Sequence, residues 1–407
     1  WNCSMRIFLL VDRGKWSREQ GSKAIAFSEL LWRWKMIKKL TSAVAIAAGI
    51  GFIGIGAAQA DDIIFGVPGA HTGDLASYGL PTINAAKLVA EKYNAKGGVL
   101  GRMIKVVPQD DQCKPELAVN AAMKLVSEEA TVAMGHICSG ATKAALPVYV
   151  DSKIVVMSPS ATNPPLTTSG DYPNFFRTIA RDDAQGQLAA GFTIDKLGAK
   201  KIAVIHDKGD YGKGFAEFAK AAVDGSGKAA SVLFEGVTPG AVDYSAVVQK
   251  IKHSGADAVI FGGYHPEASK IVMAMRKKNL DIAFVSDDGV KDPTFIKVAG
   301  VFAEGVFATG PQDSSGNPLY AVALAEHKKA FKAEPGAFFY NAYSAALALM
   351  NAIEKSGSTD YDKIVKALKT EYVDTPVGKI KFDSIGDAEG VGFDVYMVAN
   401  GVFVQAE

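Results

Sequence analysis

The chain has 407 residues, 48% hydrophobic and 21% charged, with 44 Lys and Arg against 43 Asp and Glu. A nucleic-acid binder would show a basic stripe, and none is present. The length suits two domains or one large one.

Residues 1–35 hold all four tryptophans, Trp1, Trp16, Trp32 and Trp34, and precede the first plausible start at Met36. They read as upstream translation from a misplaced start, the alternative being an n-region of unusual length. Residues 36–60 read as a secretory signal peptide. Met36-Ile37-Lys38-Lys39 is its basic start, Leu40 to Gln59 its uncharged stretch, and Ala58-Gln59-Ala60 its small-x-small cleavage site. The stretch is short and rich in Gly and Ala for an uncleaved membrane anchor. The mature chain is therefore expected to begin at Asp61, outside the cytoplasm in an oxidising compartment, which the resemblance given below narrows to the periplasm. Losing 60 residues, with their nine Lys and Arg and three Asp and Glu, leaves 347 residues and a net charge of −5. No second hydrophobic run is long enough to span a bilayer, so the released chain is expected to be soluble.

From Asp61 onward, strand and helix signals alternate. Short apolar runs rich in Val and Ile lie at Ile63–Val67, Ile104–Val107, Thr131–Ile137, Ile154–Met157, Lys201–His206, Ser231–Phe234, Ala258–Phe261, Ile282–Val285 and Gly305–Ala308. Near-continuous runs of this kind predict parallel strands buried on both faces. Between them lie amphipathic stretches. In Asp243–Lys252, apolar residues fall at i, i+3, i+4 and i+7 behind Asp243 as N-cap. In Lys114–Glu128, Pro115 suits a first helical turn. Repeated strand–helix–strand units predict a doubly wound α/β architecture. The texture changes near Ala180 and again near Pro311. Residues 317–371 are almost wholly helical in pattern, and strand signals return at Lys379–Phe382 and Val395–Val398. A chain that leaves one sheet, builds a second and returns would form two lobes joined by several crossovers.

Catalytic motifs are missing or false. Gly49-Ile50-Gly51-Phe52-Ile53-Gly54 matches a dinucleotide fingerprint, but it lies in the signal core with no strand before it. The six histidines show no metal-ligand spacing. His136 and Cys138 are two residues apart at a strand end. Cys138 and Cys113 remain as an even pair after export, which points to one disulfide worth about 3 kcal/mol in the chain-entropy picture. The alternative is two buried thiols. A bridged sulfur cannot act as a nucleophile.

The informative residues sit where strands end, the ligand crevice of α/β sheets. Cys138-Ser139-Gly140 opens a helix, whose free N–H groups and serine hydroxyl suit a carboxylate. Ser158-Pro159-Ser160-Ala161-Thr162 offers carbonyls and hydroxyls, and Ser286-Asp287-Asp288-Gly289 offers a carboxylate for an ammonium. Tyr78, Tyr211 and Tyr264 lie at similar ends. Each has an ordinary reading, as a helix cap or a lobe-surface aromatic. Together they point to a zwitterion with an apolar side chain.

Residues 61–407 resemble the periplasmic leucine/isoleucine/valine-binding proteins of ABC importers. The resemblance rests on Asp111-Gln112-Cys113, Gly135-His136-Ile137-Cys138-Ser139, Pro159-Ser160-Ala161-Thr162, Ile205-His206-Asp207-Lys208-Gly209-Asp210-Tyr211-Gly212, Gly262-Gly263-Tyr264-His265-Pro266-Glu267 and Gly336-Ala337-Phe338. It implies a type I periplasmic binding fold: α/β, two doubly wound lobes with parallel sheets joined by three crossovers. Residues 61–180 and 311–389 would form one lobe, and 181–310 with 390–407 the other. It implies a bridge between Cys113 and Cys138. Ser139 and the Thr162 amide would hold a ligand carboxylate. The Ser160 carbonyl, the Thr162 hydroxyl and Asp288 would hold its ammonium. Tyr78, Ile137, Cys138, Tyr211, Tyr264 and Phe338 would line the side-chain pocket. Two departures concern the ligand: Asp288 stands where the family prototype has Glu, and Ser160 where it has Ala. The expected function is non-enzymatic and without cofactor or metal. The protein would capture an aliphatic amino acid and deliver it, as a monomer, to permease subunits with their ATPases. The alternatives are a sensor of the same fold and a binder of another amino acid, an amide or urea.

Overall fold

The structure is a computed structural model that describes residues 61–406. The signal peptide expected at 36–60 and the segment before it lie outside the described residues. Within them no helix is long and apolar enough to cross a membrane.

Two sheets organise the chain. The first has the order β2-β1-β3-β4-β5, with β1 at Ile63–Gly69, β2 at Ile104–Asp110, β3 at Val132–Met134, β4 at Val155–Ser158 and β5 at Phe175–Arg177. Every pairing in it is parallel. The second sheet begins with β6 (Lys201–His206), β7 (Ala230–Gly236), β8 (Ala258–Gly262), β9 (Ala283–Ser286) and β10 (Phe307–Pro311). These run parallel in the order β10-β9-β8-β6-β7. A small antiparallel pair, β11 (Val373–Thr375) and β12 (Gly378–Ile380), stands apart.

The second sheet is not wholly parallel, as the apolar runs had predicted. β13 (Phe393–Ala399) adds antiparallel to β10, and β14 (Val402–Gln405) folds back on β13. The connection is Asn400-Gly401, both at positive φ (+54° and +75°), the backbone that a two-residue hairpin requires. Helix boundaries also shift. The predicted helix at 243–252 spans Ser245–Ser254 instead, because the Asp243 carboxylate accepts from the Ser245 amide in a turn just before it. Pro115 does open the helix Pro115–Ser127.

The helices Pro318–Phe331, Phe339–Ser356 and Tyr361–Thr370 return to the first sheet, where Ala342, Ala346, Leu349 and Ile353 share one core with Phe65, Val132 and Met157. The helix Asp182–Gly191 packs with the second sheet, its Ala189 and Ala190 in a core with Ile202, Val204 and Ile260. The chain thus passes between the sheets three times: after β5, after β10 and before β13. In each sheet the first strand lies between the second, at the sheet edge, and the third. That order creates a topological switch point, and crevices form outside the carboxyl ends of strands there. The two switch points, β1/β3 and β6/β8, contribute the residues described next.

Candidate ligand-binding site

β3 is shorter than the apolar run Thr131–Ile137 predicts. Gly135 turns the chain out of the sheet at φ +145°, and a Cβ on it would lie 2.0 Å from the Pro68 carbonyl oxygen. Ile137, Cys138 and Ser139 are thereby lifted off the sheet to the crevice, where Ser139 opens the helix Ser139–Asp151. The first N–H groups of such a helix have no intrahelical acceptors. The loop after β4 lies alongside. Its Ser158 hydroxyl donates to the His136 carbonyl at 2.6 Å and its Ser160 hydroxyl to the Ile137 carbonyl at 2.8 Å. Ser160 is thus spent on positioning, and only its own carbonyl remains for a ligand.

Behind this loop, Arg177 is fully buried. Its guanidinium donates to the carbonyls of Ala161 at 3.1 Å and Asn163 at 2.9 Å, to the Thr167 hydroxyl, and to Asp387 at 2.5 Å. A single planar cation therefore fixes the loop that presents Ser160 and Thr162. Burial draws its pKa down, and the Asp387 carboxylate opposes that.

From the second lobe, the loop after β9 places Asp288 almost fully buried at the crevice. Its Oδ1 accepts from the Tyr211 hydroxyl at 2.5 Å and from Gln185 Nε2 at 2.9 Å. Burial raises its pKa, while the hydrogen bonds from Tyr211 and Gln185 pull it back. Asp287 faces elsewhere and accepts from the Gly263 amide at 2.7 Å. Tyr211 also accepts from the Gly289 amide at 2.8 Å.

The lobes meet across this space. The Tyr78 hydroxyl, on the first lobe, donates to the Gly289 carbonyl on the second and accepts from the His265 amide. Lys143 pairs with Asp210 at 3.0 Å, and Asn163 donates to the Asp210 carbonyl at 2.6 Å. Tyr78 lies 5.9 Å, centroid to centroid, from both Tyr264 and Phe338, and Tyr211 lies 5.1 Å from Tyr264. The cavity left between these residues is about 10 Å³, room for about one water.

Its walls come from Tyr78, Ile137, Ser139, Ser160 and Phe338 on one side and Tyr211, Tyr264 and Asp288 on the other. Six of these were read from the residues at strand ends, Ile137 and Phe338 were implied by the family resemblance, and Gly289 joins them. Two other predicted residues stand back from the wall. Cys138 is buried in the first lobe, bridged to Cys113 with the Cα atoms 5.5 Å apart. Thr162 is fully buried, and its hydroxyl has no hydrogen-bond partner. His136 is structural: its Nδ1 meets Asp111 at 2.5 Å, its Nε2 meets Tyr149 at 3.2 Å, and Asp111 also accepts from the Cys113 amide. Asp182 and Gln185, beside Thr162 and Asp288, were missed. An acidic residue in a first helical turn ordinarily reads as a complement to the helix dipole, so the sequence held no signal for it. Among the described residues no cluster of His, Cys, Asp and Glu could hold a metal ion.

Residues 62–398 match the periplasmic binding protein family. The chain is a periplasmic binding protein. Related periplasmic binding proteins include the leucine-, isoleucine-, valine-, threonine- and alanine-binding protein of Pseudomonas aeruginosa. It is 37% identical over 361 residues, covering 88% of this chain and 95% of that one. The Leu/Ile/Val-binding protein of Escherichia coli is 36% identical over 354 residues, covering 86% and 95%. Among crystal structures, the branched-chain amino acid substrate-binding protein of Streptococcus pneumoniae in complex with isoleucine superposes with a TM-score of 0.75. It is 27% identical and is covered in full by 85% of this chain.

Proposed function

We propose that this periplasmic binding protein captures an aliphatic, branched-chain amino acid between its lobes and delivers it to the permease of an ABC importer. The observation that carries this reading is the polarity of the residues that surround the space between the lobes. One end has a helix N-terminus with Ser139, fit for a carboxylate. The other has the buried Asp288 carboxylate, fit for an ammonium. Between them are Ile137, Phe338 and three tyrosines, fit for an apolar side chain. In this reading the Ser160 carbonyl and the Thr162 hydroxyl complete the ammonium site, and the lobes 61–180 with 311–389 and 181–310 with 390–407 close on the ligand. Charge-assisted hydrogen bonds contribute about 1.5–3 kcal/mol each, so micromolar binding, about −8 kcal/mol, is the expected scale.

Relatives named for leucine, isoleucine and valine binding support the choice of ligand class. Asp288 is one methylene shorter than the Glu of the family prototype, so it reaches the ammonium through a water or through tighter closure. The test is a thermal-shift screen of residues 61–407 against all the proteinogenic amino acids and small amides. Leucine, isoleucine and valine should raise the midpoint through mass action. A shift with amides or aromatic acids alone would refute the reading.

A further inference from the structure

A second, larger cavity adjoins the first and shares Asp288 and Phe338 with it. It measures about 360 Å³, within the range of small-molecule sites. A cavity of about 150 Å³ takes a benzene ring, so this one has room for two fused rings. Its walls are largely flat and apolar. Tyr320 and Tyr340, on helices packed against the first sheet, stack with ring centroids 3.7 Å apart, and Tyr396 and Phe403 enter from β13 and β14 of the second. Lys291 is the one cation that lines it, and its position is built. Gly310 on β10 makes room for its stem, since a Cβ there would lie 2.2 Å from Lys291 Cδ. Its Nζ lies 3.4 Å from the centroid of the Tyr396 ring, and that ring is fixed by its hydroxyl, which donates to the Pro311 carbonyl at 2.7 Å. Among the described residues no carboxylate completes the site. Asp288 Oδ1 accepts from Tyr211 and Gln185, Asp313 from Ser315, and Asp394 from the Asp313 amide and Gln405. Burial draws the Lys291 pKa down to about 8, against the pull of these three carboxylates. A buried charge without a close counter-ion costs free energy, which an anion arriving in the cavity would recover.

We propose that this cavity is a second ligand site, for a small carboxylate with a flat apolar body, and that its occupancy is coupled to the amino-acid site. The carboxylate meets Lys291, and the body lies among the aromatic walls. Two features supply the coupling. The Lys291 amide donates to the Asp288 carbonyl at 3.2 Å, so one turn presents Asp288 to the amino acid and Lys291 to the carboxylate. The cavity is also walled by elements of both sheets, so its ligand holds them together as the amino acid does. Two ligands that favour the same closed form strengthen each other's binding, and by the same factor. The second site stands without the amino-acid reading above; the coupling rests on it.

The experiment is titration calorimetry of naphthalene-2-carboxylate and of naphthalene-2-carboxamide, its uncharged match, with and without saturating L-leucine. It compares wild type, Lys291→Met and Val402→Trp, with melting curves for each protein. Wild type should bind the acid at least about tenfold more tightly than the amide, the scale of one charge-assisted hydrogen bond. Lys291→Met keeps the stem and removes the charge, so it should lose that preference and melt no lower than wild type. Val402 lines the cavity from the exposed edge strand β14, so Val402→Trp should weaken acid and amide alike. Leucine should tighten the acid's binding, and the acid leucine's. Wild type that does not bind the acid overturns the proposal, as does a preference for the acid that survives Lys291→Met. A Lys291→Met protein that melts lower and weakens equally for both probes overturns it too, because Lys291 would then be structural. Displacement of the acid by leucine places the probe in the amino-acid site and also overturns it. Equal affinity for the acid with and without leucine overturns the coupling. Wild type that binds no leucine overturns the amino-acid reading and the coupling with it, while the preference for the acid still decides the second site.

Discussion

At the scale of single residues, the two adjacent aspartates of the β9 loop have different work. Asp288 faces the cavity, and Asp287 accepts from the Gly263 amide at 2.7 Å. If Asp288 is the ammonium counter-ion, Asp288→Asn should weaken leucine binding by about 2–5 kcal/mol, the cost of leaving a buried ligand charge unpaired. An Asn at 287 can still accept from Gly263, so Asp287→Asn should change affinity little. Calorimetry on the two variants checks both. Equal losses would point to general electrostatics. Asp207 gives a pH test away from the cavity wall. It is almost fully buried at the end of β6, and burial pushes its pKa up to about 7. An unfolded Asp titrates near 3.9, so between about pH 4 and 7 the folded state binds more protons than the unfolded. The stability contribution of this group is complete at acid pH and is lost as pH rises through that window, by at most about 4 kcal/mol. Melting curves of Asp207→Asn against wild type from pH 4 to 8 should show the loss flattened in the variant. Parallel curves would refute this.

At the scale of elements, the site depends on how strands end. Gly135, Ser158 and Arg177 convert three strand ends into one rigid surface, and the disulfide ties the Ile137–Ser139 turn to the loop after β2. A 25-residue separation implies about 3 kcal/mol from the bridge in the chain-entropy model. Cys113→Ser/Cys138→Ser should therefore unfold at lower denaturant, with a slope somewhat larger than wild type because the unfolded chain is no longer cross-linked, and urea titration measures both quantities. Gly135→Ala should be the harsher change, since its Cβ would meet the Pro68 carbonyl. The parallel strands were legible because burial on both faces leaves continuous Val and Ile runs. β5, only three residues long, was too short to leave a periodic signal. The β13–β14 hairpin did carry an Asn-Gly turn signal. It was overlooked beside the stronger parallel pattern.

At the scale of the whole molecule, the cavity is built jointly by both lobes. Its closed form is held by Tyr78 on Gly289, Asn163 on the Asp210 carbonyl and Lys143 on Asp210. Ligand binding should compact the particle through hinge closure. Small-angle scattering should give a smaller radius of gyration with saturating leucine than without it. No change would argue for a rigid or preclosed form.

The sequence by itself determined the α/β class and the strand-end residues of the cavity wall, because apolar runs mark strands and polar residues at their ends mark a crevice; the two-lobe topology and the apolar wall residues Ile137 and Phe338 were implied by the family resemblance. It carried ten candidate residues to the neighbourhood of one cavity, because topology sends the carboxyl ends of parallel strands to one side. Only the tertiary structure decided how these residues are used. It set Thr162 and Cys138 behind the wall, committed the Ser160 hydroxyl to the Ile137 carbonyl, and turned Asp287 toward Gly263. It also brought Asp182 and Gln185 beside Thr162 and Asp288. The physical reason is range. Strand and turn preferences act over a few residues, whereas the partner of a buried carboxylate is chosen by a contact across about a hundred residues of chain, as between Gln185 and Asp288.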